Sequence, residues 1–244
     1  MDNRRYIYLD EVDSTNTYAK SLAKPLTDFS DGGQLLIIRA GKQSGGRGRG
    51  DKAFFSNHQG GLWASIIAPI SDISKHFEHN RAVSLAILES LKKIDSTAPI
   101  SIKWPNDIYW GGKKVTGVLL ENSPENPNVI IIGFGVNVNI SNDDLPKDLR
   151  ERATSVLIET GREQSLDQLL GDIISGYQKY INIDPPAVHK LYSSHLYKKG
   201  HAAIVDGHAG TFVIVELDGR IALDTARGRV FCHSGTLQFL PEQE

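Results

Sequence analysis

Residues 34–50 read QLLIIRAGKQSGGRGRG, an apolar stretch that runs directly into a loop of glycines and arginines. The apolar part, residues 34–40, has the length and the β-branched content of a buried strand. The loop, residues 41–59, shows neither a helical nor a strand period, and a loop of this length inside a compact domain is usually functional or mobile. This stretch therefore predicts a β-sheet domain with such a loop at the end of one strand.

Segments typical of strands and amphipathic helices extend on both sides of this stretch. The predicted strands are residues 5–12, 62–68, 100–104, 108–110, 114–121 and 128–140. In residues 76–94, the apolar side chains Val83, Ile87, Leu91 and Ile94 recur at helical spacing, which predicts an amphipathic helix covering a sheet. Further helices are predicted at residues 14–24 (just ahead of Pro25), 166–181 and 187–197. Together these segments predict an α+β fold in which helices flank a mixed β-sheet.

The pattern changes from His201 onward, where short alternating segments are separated by turns that contain glycine. The predicted strands are residues 203–205, 211–217, 220–224, 227–233 and 236–239. Five short strands at this spacing predict a small all-β barrel. We therefore expect two domains, residues 1–195 and residues 196–244.

The composition excludes several classes of protein. Of the 244 residues, 40% are hydrophobic and 23% are charged, so the chain can bury a sizeable core and is not globally disordered. Its 27 basic and 29 acidic residues disfavour a surface that coats nucleic acid. Cys232 is the sole cysteine, which excludes an intramolecular disulfide and a Cys-x-x-Cys zinc site. The first residues lack the apolar core of a signal peptide and no apolar run is long enough to cross a bilayer, so we expect a cytoplasmic protein without membrane contact.

Basic residues and glycines dominate the interval from Arg39 to Lys52, where the only acidic residue is Asp51. The basic residues are Arg39, Lys42, Arg47, Arg49 and Lys52. Glycine N–H groups can form a nest for an anion, and arginines bind phosphate or carboxylate oxygens in bidentate fashion. The spacing matches neither a P-loop nor a dinucleotide fingerprint. A solvated loop and an RGG-type RNA contact are the alternatives, and phosphate binding is favoured because the single RGRG lies between buried strands.

A second motif is Lys103-Trp104-Pro105-Asn106-Asp107, a hairpin away from Lys113-Lys114 and Gly117. A lysine in an apolar strand is costly unless an anion or a hydrogen-bonding partner is near. Beside Asn and Asp, it suits a site where negative charge develops and a metal ion bridges phosphates. The alternative is a surface strand in which Lys103 reaches solvent and Asp107 caps a turn.

Two further segments carry polar residues in structured positions. Asn137 lies in the apolar strand Ile132–Ile140, where a buried amide needs a partner, and a backbone partner is the more common one. The segment Asp13-Ser14-Thr15-Asn16 falls at a strand-to-helix junction, where helix capping is the default explanation.

In this order, the motifs resemble those of the biotin protein ligases. The matching segments are Asp13-Ser-Thr-Asn16, Gly46-Arg-Gly-Arg-Gly50, Lys103-Trp-Pro-Asn-Asp107, Lys114-Val-Thr-Gly117 and Gly133-Phe-Gly-Val-Asn137. The resemblance implies that the terminal module is the family's SH3-like β-barrel. It also implies a two-step reaction in which ATP and Mg²⁺ activate biotin as biotinyl-5'-AMP, and a lysine of a biotin carboxyl carrier domain then takes the biotinyl group.

The resemblance assigns roles to individual residues. Lys103 and Arg49 are the expected catalytic residues, and Asp107 is the expected contact of Mg²⁺. The expected biotin-binding residues are Ser14, Thr15, Asn16, Gln43, Gly46, Arg47, Gly48, Arg49, Lys103, Trp104 and Gly117, with Trp63 as a further apolar contact. The expected ATP-binding residues are Arg47, Arg49, Phe54, Asn106, Asp107, Lys114 and Asn137.

The sequence also departs from the family pattern and leaves alternatives open. Phe54 stands where relatives often have tryptophan, and Gly50 where some have another arginine. No helix-turn-helix segment precedes the motifs, so no DNA partner is expected. The other hypotheses are a lipoate or octanoate ligase or transferase of the same superfamily and a non-catalytic biotin- or RNA-binding protein. Homodimer formation, with or without the adenylate, is left open.

Overall fold

The computed structural model describes residues 4–23, 34–50 and 52–241. Within these residues, seven strands form one mixed sheet in the order β1-β2-β3-β7-β6-β5-β4, in which β1 runs parallel to β2 and the other neighbours are antiparallel. The strands are β1 (Arg4–Val12), β2 (Leu35–Gln43), β3 (Gly61–Pro69), β4 (Ile100–Lys103), β5 (Asp107–Trp110), β6 (Lys113–Asn122) and β7 (Val129–Asn137). Every residue of β7 is buried, as are all but the last of β3. Burial on both faces explains why these strands are continuously apolar rather than alternating.

Helices cover both faces of this main sheet. They are α1 (Thr15–Ala23), α2 (His76–Ile94), α3 (Val156–Thr160), α4 (Leu166–Ile181) and α5 (Pro185–Ser194), and a 3₁₀ turn, Ile73–Lys75, precedes α2. Ile38 and Ile131 pack in the cluster that contains α1, whereas their neighbours Ile37 and Ile132 pack in the larger cluster that contains α2. Successive strand residues point to opposite faces, so one apolar strand supplies both layers of core.

The terminal module is a five-stranded antiparallel sheet in the order β11-β10-β9-β8-β12. Its strands are β8 (Ala202–Val205), β9 (His208–Val215), β10 (Ile221–Thr225), β11 (Gly228–Cys232) and β12 (Gln238–Phe239). Phe212, Val215 and Ile221 are fully buried and belong to the same core cluster as the α2 side of the main sheet. The terminal sheet therefore shares one core with the α2 side of the main sheet.

Two long side chains hold the β9–β10 turn against the rest of the chain. Arg81 Nη1 in α2 donates to the carbonyl oxygen of Leu217 at 2.6 Å, and Trp104 Nε1 donates to that of Gly219 at 2.9 Å. Gly219 has φ of +95°, and a Cβ there would lie 2.5 Å from the Phe77 ring. This turn thus requires glycine both for its backbone conformation and for its close approach to α2.

The α+β fold, with a second and smaller all-β module, is confirmed. The helix α3 escaped prediction because five residues are too few to show a period; Ser155 caps its start and Gly161, with φ of +68°, ends it. The predicted helix 187–197 begins earlier, at Pro185, and ends at Ser194. The strand predicted at 128–140 ends at Asn137.

Some predictions fall outside the described residues, namely the helix end at Lys24 and Pro25 and the acidic residue Asp51. The domain division at residue 195 stays a prediction. Among the residues described, no helix combines the length and the apolar character that crossing a membrane would require.

Candidate active site

A cavity of about 720 Å³ lies over strands β6 and β7 of the main sheet. Among the described residues that line it, six are cationic and one, Asp107, carries a carboxylate. The cations are Arg47, Arg49, Lys52, Lys103, Lys114 and Arg152. So many like charges around one concave site favour an anionic ligand, which would neutralise their mutual repulsion.

Glycines in β6 and β7 let side chains approach the floor of the cavity. A Cβ at Gly133 would lie 2.2 Å from Asn16 Oδ1, and one at Gly135 would lie 2.4 Å from Phe54 Cε1. A Cβ at Gly117 would come within 3.0 Å of the same phenylalanine ring. A side chain at Gly133 or Gly135 would thus displace the groups above the backbone, and one at Gly117 would press on the Phe54 ring.

Neutral polar side chains form a buried network where α1 begins. The backbone N–H of Thr15 donates to Gln43 Oε1 at 2.8 Å, and the Thr15 hydroxyl lies 3.0 Å from the same oxygen. Ser65 Oγ donates to Asn16 Oδ1 at 2.6 Å and lies 2.7 Å from Thr15 Oγ1. With Ser14, these residues are at most 8% exposed. Fixed, uncharged donors and acceptors of this kind suit a neutral polar group of a ligand.

Two lysines face Asp107 from neighbouring strands. Lys103 in β4 stands opposite Asp107 in β5, and Lys114 Nζ lies 2.7 Å from Asp107 Oδ1. Lys103 Nζ also donates to Tyr109 Oη at 3.2 Å. Burial lowers the pKa of Lys103, and the charge of Asp107 opposes that effect. Burial also disfavours the charged form of Tyr109 and raises the pKa of its hydroxyl to about 12.

The glycine–arginine loop is folded as a hairpin over the cavity, and its residues 46–50 and 52–54 are called the lid below. The backbone N–H of Gln43 donates to the carbonyl oxygen of Ser56 at 3.0 Å at its base, and that of Gly48 donates to the carbonyl oxygen of Lys52 at 2.7 Å near its tip. Gly50, at the turn, has φ of +59°. Glycine adopts this left-handed conformation without the strain that a side chain would cause.

The cationic side chains of the lid contact opposite walls. Arg49 Nη1 donates to the carbonyl oxygen of Gly235 at 3.3 Å, and Lys52 Nζ donates to Thr236 Oγ1 at 3.4 Å, both in the terminal module. Arg47 Nη2 instead donates to Thr17 Oγ1 in α1 at 3.0 Å. Burial lowers the pKa of Arg49, against the charges of Asp107 and Asp206.

The aromatic residues differ in their relation to the cavity. Phe54 lines it and meets Trp63 edge to face, with ring centroids 6.0 Å apart. Trp63 is fully buried and donates its indole N–H to the carbonyl oxygen of His58, and it does not line the cavity. Trp104 lines the cavity but is 2% exposed, and its indole N–H is bound to the terminal module.

Of the remaining predicted residues, some line the cavity and one does not. Asn106 Nδ2 donates to the carbonyl oxygen of Val118, and Asn137 Nδ2 donates to that of Thr154 at 2.9 Å, and both asparagines line the cavity. Gly46 does not line it; a Cβ there would lie 2.0 Å from Ser56 Oγ, so this glycine serves the base of the lid. Apart from Gly46 and Trp63, the structure thus brings all the predicted site residues to one cavity, while their individual roles stay predictions.

Several lining residues were not predicted, and most of them lie in segments without a motif. Gly235, Thr236 and Leu237 reach the cavity from the terminal module. Arg152 reaches it because the backbone N–H of Lys114 donates to its carbonyl oxygen at 2.9 Å. Thr116 contributes a hydroxyl without a hydrogen-bond partner among the described residues. Thr116 lies inside the matching segment Lys114-Val-Thr-Gly117 but was not among the expected site residues.

The carboxylate content of the cavity limits how a metal ion is bound. The described part of the chain has no group of three or more His, Cys, Asp or Glu side chains placed to hold a metal. Mg²⁺ typically takes one or two carboxylates and completes its shell with substrate phosphates and waters. Asp107 fits that limited requirement.

The fold and the cavity together define a two-module protein with a cation-lined cavity under a lid. The family model of the biotin/lipoate A/B protein ligases matches residues 8–137. The chain belongs to this family.

Within the family, the chain is similar to biotin protein ligases. It is 33% identical over 178 residues, 71% of its length and 52% of the relative's, to the bifunctional ligase/repressor BirA of Bacillus spizizenii. The chain thus spans about half the length of that relative. It is 23% identical to the biotin–[acetyl-CoA-carboxylase] ligase of Mycobacterium tuberculosis over 95% of this chain and 89% of the relative.

Solved structures extend the similarity to the whole fold. The biotin protein ligase from Aquifex aeolicus in complex with biotin and ATP superposes with a TM-score of 0.81 at 26% identity, covering 97% of this chain and 99% of that one. The similarity therefore includes the terminal module as well as the main sheet.

Proposed function

We propose that the protein is an ATP-dependent biotin protein ligase. It would activate biotin as biotinyl-5'-AMP and transfer the biotinyl group to a lysine of a biotin carboxyl carrier domain. One observation carries the proposal: a single cavity joins a neutral hydrogen-bonding network to a set of six cations beneath a folded lid. Family membership and the similarity to a ligase solved with biotin and ATP support it.

The neutral end of the cavity suits the uncharged head of biotin. A ureido group has one carbonyl acceptor and two N–H donors, which a serine, a threonine and a glutamine can satisfy. Ser14, Thr15, Asn16 and Gln43 are assigned to that role. Hydrogen bonds between Thr15 and Gln43 and between Ser65 and Asn16 fix three of these side chains before the ligand arrives, so little of their entropy is lost on binding.

The first step joins two anions. The carboxylate oxygen of biotin attacks the α-phosphorus of ATP, the bond to the β-phosphate oxygen breaks, and pyrophosphate leaves. Cations fixed around the reacting atoms stabilise the charge that accumulates in the transition state. Lys103 and Arg49 are assigned to the reacting centre, and Lys114 and Arg47 to the adjoining phosphates. Phe54, Asn106 and Asn137 are assigned to the nucleoside.

Asp107 would hold the Mg²⁺ that accompanies ATP, together with oxygens of the substrate. When bound, Mg²⁺ supplies neutralisation of the phosphate charge. Asp107 also keeps Lys114 near the same phosphates, because their side chains are in direct contact. Asp107 would thus contact both Mg²⁺ and Lys114, which would explain why the cavity needs only one carboxylate beside its six cations.

In the second step, a lysine amine of the carrier attacks the carbonyl carbon of the mixed anhydride, an amide forms, and AMP leaves. The lid limits the access of water to this hydrolysable intermediate. We place the reaction in the cytoplasm, in keeping with a chain whose lone cysteine is buried and unpaired.

Intact-mass measurement of a carrier domain tests the proposal directly. Incubation with ATP, Mg²⁺ and biotin should add one biotinyl group to the carrier, and the addition should fail without ATP. Lys113→Gln, which alters an exposed neighbour of the site, serves as a control that should retain activity. Modification by lipoate or octanoate but not by biotin would assign the protein to the other branch of its family. Tight biotin binding without any modification would contradict catalysis.

A further inference from the structure

Glu121, at the end of β6, collects donors from two other segments of the chain. Its Oε1 accepts a hydrogen bond from Lys20 Nζ at 2.6 Å, and its Oε2 accepts one from Asn16 Nδ2 at 2.8 Å. Arg47 Nη2, in the lid, lies 3.6 Å from the same Oε2. The carboxylate thus joins α1, the neutral network and the lid at one point, although no motif includes it.

The two carboxylate oxygens of Glu121 have different partners. Lys20 contacts Oε1, whereas Asn16 and Arg47 share Oε2. The Glu121 side chain is only 20% exposed, so its ion pairs are less screened than those on an open surface. Partial burial alone would raise the pKa of Glu121, but the hydrogen bonds from Lys20 and Asn16 and the charges of Lys20 and Arg47 together lower it, so the carboxylate is charged at neutral pH.

The lid is therefore attached at two sides. Arg47 is held toward α1 by Thr17 and Glu121, and Arg49 is held toward the terminal module by the carbonyl oxygen of Gly235. These arginines are two residues apart on one hairpin, so the two attachments hold the lid across the cavity. Loss of either one should free that side of the hairpin.

We propose that Glu121 is a positioning residue that holds the Arg47 side of the lid over the cavity and so retains the adenylate between the two steps. The part concerning the adenylate rests on the proposed function, whereas the attachment of the lid does not. Glu121 itself need not touch a substrate. It acts through Arg47.

Limited trypsin digestion of the ligand-free protein tests the attachment without any assumption about activity. Trypsin cleaves after Arg47, Arg49 and Lys52, so cleavage in the lid reports its opening. Glu121→Gln keeps the shape of the side chain and an oxygen acceptor but removes the charge that attracts Arg47. We expect lid cleavage to become about two- to fivefold faster, as suits the loss of a modest ion pair. Thr17→Val, which removes the other contact of Arg47, should act in the same direction.

Lys20→Gln is the matched control, since it removes the partner of Oε1 and leaves both contacts of Oε2. It should leave the cleavage rate in the lid near that of the unaltered protein. Equal acceleration by Lys20→Gln and Glu121→Gln would show that packing of α1 against β6 is responsible, and would overturn the proposal. So would an unchanged rate in a folded Glu121→Gln variant.

Release of the adenylate provides the second test. Protein loaded with biotin, ATP and Mg²⁺ in the absence of a carrier is treated with hydroxylamine, which traps the free mixed anhydride. Glu121→Gln should release it faster, and it should have no further effect in an Arg47→Ala background. A further effect in that background would mean that Glu121 acts through Asn16, and the proposal would be wrong. If the unaltered protein forms no adenylate, the proposed function fails while the digestion result still stands.

Discussion

The ammonium group of Lys114 lies 2.7 Å from the carboxylate of Asp107, and Lys103 stands opposite that aspartate on the adjacent strand. One carboxylate therefore faces two cations. Because Asp107 contacts Lys114 directly and Lys103 instead donates to Tyr109, the charge of Lys103 is the less compensated of the two. A lysine whose charge is incompletely compensated suits a site that binds an anionic substrate beside it.

Replacement of either lysine by glutamine should slow the formation of biotinyl-5'-AMP. Each change removes a fixed cation from the reacting anions, and losses of about 10²-fold in kcat are typical for one such group. Pyrophosphate release measures this step without a carrier. Lys113→Gln provides the control, since Lys113 is an exposed neighbour of Lys114 in β6. Full activity of both site variants would contradict the assigned roles.

Tyr109→Phe should shift the alkaline limit of the adenylation rate to lower pH. Burial already lowers the pKa of Lys103, and the Tyr109 hydroxyl accepts a hydrogen bond from its ammonium group. Removing that acceptor destabilises the charged lysine and lowers its pKa further. If the charged form is required, activity is present below this pKa and is lost as the pH rises through it.

The pH profile of kcat checks this prediction. Lys103→Arg should abolish the limit within the accessible range, because a guanidinium does not titrate there. A limit that stays in place in both variants would assign it to another group.

Gly135→Ala should weaken ATP use by displacing the lid. The new Cβ would lie 2.4 Å from Phe54 Cε1 and 3.1 Å from the fully buried Trp63, so Phe54 must move. Displacing catalytic groups by about 1 Å lowers reaction rates by up to about 10²-fold. Steady-state kinetics should show a raised KM for ATP. Shortening the obstructing ring in Gly135→Ala/Phe54→Leu should relieve part of the defect.

Gly171→Ala is the matched control for that substitution. A Cβ at Gly171 in α4 would meet nothing within 4 Å, so activity should be unchanged. Equal loss in the two alanine variants would show that the contact with Phe54 is unimportant.

Acid should destabilise the fold through His79. Burial lowers the pKa of this imidazole from 6.5 to about 4, and its Nδ1 lies 2.7 Å from the Tyr177 hydroxyl. Since the folded-state pKa is depressed, the stability contribution is present above pH 6.5 and is lost progressively as the pH falls toward 4. The full loss corresponds to about 3 kcal/mol in the free energy of unfolding.

Urea unfolding at pH 7.5 and pH 4.5 measures this loss. His79→Asn retains an acceptor near Tyr177 but cannot bind a proton, so it should reduce the difference in unfolding free energy between the two pH values. His208→Asn, in an exposed position of the terminal module, should leave that difference unchanged. The same pH dependence in all three proteins would rule out His79 as its source.

Much of the main domain was predictable because its signals are local. Apolar runs predicted the buried strands, and apolar side chains at helical spacing predicted α2. The residues in the lid, at Lys103–Asp107 and at Asn137 were candidates because charged or polar groups interrupt apolar strands or follow them, and the resemblance of their motifs to those of the biotin protein ligases assigned them to the site. Burial makes such interruptions costly, so they stand out in sequence.

The contacts of single side chains were not predictable in this way. Trp104, expected to contact biotin, does line the cavity, but no sequence pattern indicated that its indole N–H donates to the carbonyl oxygen of Gly219, 115 residues further along the chain. Trp63 is part of the core, and Gly46 serves the base of the lid. An aromatic or a glycine satisfies several environments equally well, so its type alone does not reveal its neighbours.

By itself, the sequence determined the fold class, the family and which segments carry charge into the site. The fold class and the charged segments follow from the order of apolar, glycine and charged residues along short stretches, where periodicity and desolvation act locally, whereas the family was indicated by the resemblance of five short motifs. Only the tertiary structure decided that Gly235 and Thr236 meet the lid, that Arg152 joins the cavity, and that Glu121 faces Arg47. Those contacts join segments far apart in the chain, and they arise only when strand pairing within the main sheet and packing of the terminal module bring these segments together.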